Sequence, residues 1–277
     1  MRPNPEFSGL QKSFWAAVRS ISQKCGYTEN GAIKVHGIDE MRDAYRDLGL
    51  DPESLDQAMP SGRSQGEVLH AYFVHRAAML TNEAGPALMN AEEARVEFER
   101  LRRELNPRCP LPMNKQKGEM RNYAYLTGIV NMLIEAHAGG RQVDYDPREL
   151  TTVTANGSPL RTLSRRVDGA FPSTINPVAI WEVKEYYYTT SFGSRVADGV
   201  YETLLDGMEL EELRNSESVS VLHYLILDAR FTWWDCGRSY LCRIIDMLHM
   251  GFVTEVLVGR EVIQRLPRLV EEWSLRL

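Results

Sequence analysis

One stretch limits the possible folds more than any other. Val219 to Leu227 (VSVLHYLIL) is apolar at positions that an extended strand would point to both faces. Such a strand is stable in the middle of a sheet covered on both sides, which calls for helices as well as strands. The surrounding residues supply both. Val178 to Tyr188 (VAIWEVKEYYY) and Val253 to Val258 predict two more strands. Leu150 to Thr154 and Leu160 to Phe171 predict a hairpin about the turn Ala155-Asn156-Gly157-Ser158. Helical spacing runs through Val196, Val200, Leu204, Leu205 and Met208, and again over Tyr240–Met250 and Glu261–Trp273. Lys115 to Ala138 predicts a single helix, stopped by Gly139-Gly140. The order is helix, three strands, helix, strand, helix, strand, helix. It predicts a mixed α/β sheet flanked by helices.

The first part of the chain reads differently. Residues 1–110 carry helical patterns, among them Phe14 to Ser22, Ile38 to Leu50, Gly66 to Leu80 and Asn90 to Leu105. Three prolines in Asn106 to Met113 (NPRCPLPM) end the last of these and suggest a boundary. The expected organisation is a mainly helical region over 1–110 and an α/β domain over 111–277.

Composition narrows the class. The chain has 277 residues, 43% hydrophobic and 25% charged, ordinary for a globular protein and enough to bury a sizeable core. Its four cysteines are scattered and form no CxxC pair, which argues against a zinc ribbon and for a reducing compartment. With no long apolar run and no signal-like start, the expectation is a cytoplasmic protein without membrane contact. The net charge of −6 argues against a generic nucleic-acid binder. Local patches still matter: Arg95 to Arg121 holds eight Lys/Arg against four Glu.

Chemistry concentrates around Val178 to Tyr188. Strand alternation puts Glu182 and Lys184 on one face, Trp181 and Val183 on the other. A glutamate and a lysine in an apolar strand need partners or a metal ion, because unpaired buried charge is costly. Asp168, on the preceding strand, would bring a second carboxylate beside Glu182. Two close carboxylates repel unless a cation lies between them, and hard oxygen ligands suit Mg²⁺.

Asp168, fourteen residues before Glu182-Val183-Lys184, resembles the signature of the PD-(D/E)XK nuclease superfamily, most like a type II restriction endonuclease. The predicted order helix–β–β–β–helix–β is similar to that superfamily's core, and the resemblance covers Lys115 to about Leu227. One position departs: Val167 stands where the pattern has proline. The resemblance implies Mg²⁺-dependent hydrolysis of DNA phosphodiester bonds. It implies that Asp168, Glu182 and the backbone carbonyl of Val183 hold the metal, that Lys184 orients or activates water, and that Glu119 assists from the helix before the sheet. Lys115, Lys117, Arg121, Arg165 and Arg166 are the expected phosphate contacts. The expected partner is double-stranded DNA. Cutting both strands calls for a homodimer or a dimer-based assembly, with the N-terminal helices and Trp233-Trp234 as expected contact surfaces.

Other readings stand beside this one. The same chemistry could serve a repair or phage-defence nuclease acting on structured DNA or RNA. A non-catalytic α/β interaction protein would also suit the acidic balance. Glu182 and Lys184 would then be a salt-bridged pair on a strand face.

Overall fold

The computed structural model describes residues 1–116, 119–188 and 193–277, with the side chains of 115–121 and 194 outside that description. The N-terminal part is helical, as expected. It comprises α1 (Lys12–Cys25), a small hairpin of β1 (Thr28–Glu29) and β2 (Ala32–Ile33), α2 (Ile38–Asp47) and α3 (Gln65–Met79). A short α4 (Gly85–Ala87) leads into α5 (Ala91–Leu105). Capping boxes open two of these helices, Ser64 with Glu67 on α3 and Asn90 with Glu93 on α5. Phe14, Trp15, Val18, Ile21, Met41, Tyr45, Leu69, Tyr72 and Phe73 form the core between α1, α2 and α3.

The predicted helix over Lys115–Ala138 is corrected. β3 (Met113–Gln116) and β4 (Glu119–Tyr123) pair antiparallel with each other, and the helix α6 spans Tyr125–His137. The physical reason is in the side chains. Asn114 to Asn122 is polar at nearly every position and offers no apolar stripe, whereas continuous apolar spacing starts at Tyr125.

The main sheet has the order β11-β10-β9-β8-β5. Its members are β5 (Asp144–Tyr145), β8 (Gly169–Phe171), β9 (Ala179–Glu185), β10 (Leu222–Asp228) and β11 (Glu255–Val258). β9, β10 and β11 run parallel, and β8 is antiparallel to both β9 and β5. The expected strand Leu160–Phe171 is split. Its first part, β7 (Ser158–Thr162), pairs with β6 (Thr152–Ala155) in a separate two-stranded sheet, and only Gly169–Phe171 enters the main one. The hairpin turn at 155–158 is where the sequence suggested. The loop between Leu163 and Asp168 is what lets the chain change sheets.

Helices cover both faces. On one, α5, α6 and α9 (Glu261–Ser274) bury Trp181, Tyr224, Phe171 and Leu257. Trp181 stacks on Trp273 with ring centroids 5.8 Å apart. On the other, α7 (Ser194–Glu217) and α8 (Arg238–His249) cover Leu225, Leu227, Val256 and Val258. The N-terminal helices join this second layer through a sealed ion pair. Arg76 of α3 lies 3.1 Å from Asp246 of α8, and Tyr72 donates to the same carboxylate at 2.6 Å. Trp233, expected at a partner surface, is wholly buried in this layer, so it offers no area to a second chain.

Candidate functional site

β9 alternates as the sequence required. Trp181 and Val183 face the core shared with α6 and α9, and Glu182 and Lys184 face α7. Both charged residues are buried; Glu182 has no exposed surface at all. Lys184 Nζ donates to Glu182 Oε2 at 2.8 Å and to Glu202 Oε2, on α7, at 2.9 Å. Gly199 on α7 makes room for this. A Cβ there would lie 3.2 Å from Lys184 Cδ and 2.9 Å from the Tyr186 hydroxyl.

Asp168 sits immediately before β8, opposite the middle of β9. Its backbone N–H donates to the Trp181 carbonyl, and its Oδ2 accepts from the Val183 N–H at 2.7 Å. β8 begins at Gly169, paired with Trp181, so beyond that point the edge of β9 is free of a ladder partner. A strand residue points its N–H and carbonyl to the same side. The Val183 carbonyl therefore lies on the edge that Asp168 occupies. Gly169 is required here because a Cβ would fall 2.0 Å from the Trp181 ring.

Arg165, expected to contact phosphate, lies inside the cluster. Its Nη1 is 2.8 Å from Glu182 Oε1 and 2.6 Å from Asp206 Oδ2, and its Nη2 is 3.3 Å from Glu202. The loop that carries it is tied to α7 a second time, where Glu209 accepts from the Ser164 backbone and hydroxyl at 3.0 and 2.7 Å. Arg166 is exposed. Glu119 lies on β4, not on the expected helix. Lys115 and Arg121 lie on the same hairpin. Their side chains and that of Glu119, and Lys117 as a whole, lie outside the described residues.

The electrostatics follow from burial and pairing. Burial first, and Glu182 second, push the Asp168 carboxyl up to about 6. Burial raises Asp206 to about 7 despite Arg165. Burial would raise Glu182 as well, but Lys184 and Arg165 outweigh it and hold its carboxyl below the ordinary value. Burial opposes the charge on Lys184, yet Glu182 and Asp168 raise it above the usual lysine value. Lys184 thus donates to Glu182 and Glu202 together and serves as their shared cation. Glu185, next along the strand, belongs to the other face. It accepts from the Thr127 N–H at 3.0 Å and anchors the start of α6.

Two acidic members of the cluster, Glu202 and Asp206, escaped the sequence reading. Their signal was present: Asp198, Glu202, Asp206 and Glu209 recur at four- and three-residue steps along α7. Of the apolar positions whose spacing predicted this helix, Leu205 and Met208 are exposed, while Asp206 is fully buried.

The donor set is hard oxygen. Glu182 Oε1 and Asp206 Oδ1 are buried without a hydrogen-bond partner, although Glu182 Oε1 keeps its ionic contact with Arg165. Asp206 Oδ1 alone of the two is without a partner of either kind, and carboxylate oxygens are the donor type that suits a small divalent cation such as Mg²⁺. Among the described residues, the three His, Cys, Asp or Glu side chains whose possible ligand atoms all lie within 4.8 Å of one another are not these but Cys25, His36 and Glu40. There Lys34 Nζ already sits 2.5 Å from Glu40, which supplies the positive charge.

Among the described residues, no helix is long and apolar enough to cross a membrane. A family model described as Domain of unknown function (DUF7687) matches residues 89–273, and one described as Domain of unknown function (DUF7690) matches residues 1–83. The join between the two matches falls just ahead of α5. No curated protein and no solved structure matches the chain.

Proposed function

The chain belongs to the DUF7687 family, a membership that brings no activity with it, and we propose that it is a Mg²⁺-dependent DNA endonuclease of PD-(D/E)XK type. The observation that carries this reading is the convergence of Asp168, Glu182 and Lys184 at the edge of β9, where β8 stops. Asp168, fourteen and sixteen positions before Glu182 and Lys184, reaches the edge of β9 between them, where β8 has stopped pairing. Within the main sheet the order α6, β5, β8, β9, α7, β10 also supports it, with β5 in the place expected for Leu150–Thr154, which pairs with β7 in the separate sheet instead.

In this reading Asp168, Glu182 and the Val183 carbonyl hold Mg²⁺. Bound there, the ion lowers the pKa of a coordinated water and offsets charge on the scissile phosphate. Lys184, kept protonated by its carboxylate neighbours, donates a hydrogen bond that orients the attacking water. The preferred substrate is intact duplex DNA cut at a fixed sequence, by a homodimer whose two sites face the two strands.

One observation favours the non-catalytic reading: Arg165 and Lys184 already ion-pair Glu182 without any metal. A plasmid assay separates the two. Purified protein with supercoiled DNA and Mg²⁺ should give discrete linear fragments that EDTA and Glu182→Ala both abolish. Intact plasmid at every metal concentration would leave the cluster as a structural salt-bridge network. Nicked circles alone, from a monomer, would favour a repair-type nuclease.

A further inference from the structure

The N-terminal part carries a group of side chains that the nuclease reading does not use. Cys25 ends α1, His36 lies between β2 and α2, and Glu40 is in the first turn of α2. A ligand atom from each lies within 4.8 Å of the other two. His36 is wholly buried. Its ring meets the Phe73 ring edge to face, with centroids 4.5 Å apart, and its backbone carbonyl accepts from His70 Nδ1 at 2.8 Å. The imidazole is thereby fixed in place. Its Nδ1 lies 3.2 Å from Glu40 Oε2, and its Nε2 has no hydrogen-bond partner. Buried polar groups are as a rule satisfied, and this histidine is only half so.

Lys34 does not fill the place between the three. Its Nζ takes the other oxygen of Glu40, Oε1, at 2.5 Å and donates to the Cys25 carbonyl at 3.1 Å. The same ammonium lies 3.6 Å from Glu29. One cation thus serves two carboxylates and leaves Glu40 Oε2 to His36.

We propose that Cys25, His36 and Glu40 bind a zinc ion, with water in the fourth tetrahedral position. The donors are one sulfur, one nitrogen and one oxygen. Thiolate and imidazole are poor ligands for Mg²⁺ and suit zinc. In a tetrahedral site, zinc bonds of about 2.0–2.3 Å set the ligand atoms about 3.3–3.6 Å apart. The His36–Glu40 separation of 3.2 Å is already close to that. Cys25 is half-buried at a helix end, and rotation of its side chain closes the remaining distance. As the zinc–sulfur bond forms, the Cys25 thiol proton passes to solvent. Neutral His36 keeps its single ring proton and gives the ion the lone pair of its other nitrogen. The charges then balance. The Cys25 thiolate, Glu29 and Glu40 are three negative groups, Lys34 offsets one, and Zn²⁺ offsets the other two. Lys34 holds the ligating carboxylate in orientation, as outer partners do at metal sites. The ion ties the end of α1 to the start of α2 across the β1–β2 hairpin. It shares no residue with the Asp168 cluster, so it stands whether or not that cluster cuts DNA.

The test adds Co²⁺, a zinc surrogate, to the full chain after dialysis against a chelator. A cobalt–thiolate bond gives a charge-transfer absorption that oxygen ligands do not. Wild type is expected to show it, and added Zn²⁺ should abolish it and raise the Tm. Cys25→Ser should lose the absorption, whereas Cys236→Ser, which removes the exposed cysteine, should keep it. Should Cys25→Ser fail to fold, Cys25→Ala gives the same readout. Glu40→Gln should bind Zn²⁺ about tenfold or more weakly, measured by competition with a chromogenic chelator. No thiolate absorption in wild type overturns the proposal and leaves Lys34, Glu40 and His36 as a plain polar network. An absorption that survives Cys25→Ser, or vanishes with Cys236→Ser, overturns it as well. So does a zinc affinity of Glu40→Gln within about twofold of wild type.

Discussion

Lys184 Nζ lies 2.8 Å from Glu182 Oε2, two positions back along the same strand, and both side chains are shut away from water. The pair sits in a cluster with an excess of carboxylates, so its two halves are not equivalent. Removing Lys184 leaves Glu182 and Glu202 sharing only Arg165. Removing Glu182 takes away one of the repelling charges and leaves Lys184 paired with Glu202.

Lys184→Met should therefore cost about 3–5 kcal/mol, the range for breaking a buried pair from one side. Glu182→Gln should cost less than half as much. Urea unfolding of the two variants checks this. Equal losses would mean that the surplus of negative charge is not felt. On the proposed function both variants lose cleavage, so activity and stability separate cleanly in Glu182→Gln.

Two glycines near the site should respond differently to a methyl group. At Gly169 the new Cβ would lie 2.0 Å from the Trp181 ring, which is clamped against Trp273 and cannot yield. Gly169→Ala should destabilise the protein by about 3 kcal/mol or more, at the upper end of overpacking costs. At Gly199 the nearest atoms are the ends of Tyr186 and Lys184. Gly199→Ala should fold with a loss of about 1 kcal/mol or less and displace the Lys184 side chain, lowering cleavage more than stability. Thermal unfolding alongside the plasmid assay would show whether the two effects divide this way.

Arg76 and Asp246 join the N-terminal helices to α8 with almost no solvent contact. Arg76→Leu leaves the Asp246 carboxylate buried without a counter-charge and should cost about 3–5 kcal/mol. Arg76→Leu with Asp246→Leu should recover a good part of that loss. A double variant no more stable than the single one would show that the pair is worth more than its burial costs.

The raised carboxyls make a signed prediction for pH. Asp228, at the end of β10, accepts from the Met89 and Ala229 N–H groups and the Tyr187 hydroxyl, and burial pushes it up to about 7. Between the ordinary Asp value and pH 7 the folded protein holds a proton there that the unfolded chain has released. Stability from this group is present at low pH and lost as pH rises through that window. Asp168 and Asp206 act in the same direction. His36, His75, His223 and His249 are all lowered by burial and act oppositely, because the unfolded chain takes up their protons below pH 6.5. The clean measurement is a difference. The Tm of wild type minus that of Asp228→Asn should fall steadily from pH 4.5 to 8. A difference that is constant with pH would mean that Asp228 titrates normally.

The strands and helices of the second half were legible wherever one period ran without interruption. β9, β10, α8 and α9 all lie where alternation or helical spacing put them, because a side chain must face the same way as its neighbours two or four positions on. The spacing of Glu182 and Lys184 similarly determined that they share a face. Three things were decided only in three dimensions. Met113–Gln116 and Glu119–Tyr123 pair as antiparallel strands, since a polar segment takes its conformation from the partner it finds. β5, at two residues, is too short to carry a pattern. The company around Glu182 is the third. Arg165, Glu202 and Asp206 come from a loop and a helix that lie next to β9 only because β8 and β9 pair and α7 crosses over them. Sequence spacing records which side chains share one element. Which elements share a charge cluster depends on how those elements pack, and that information is not local.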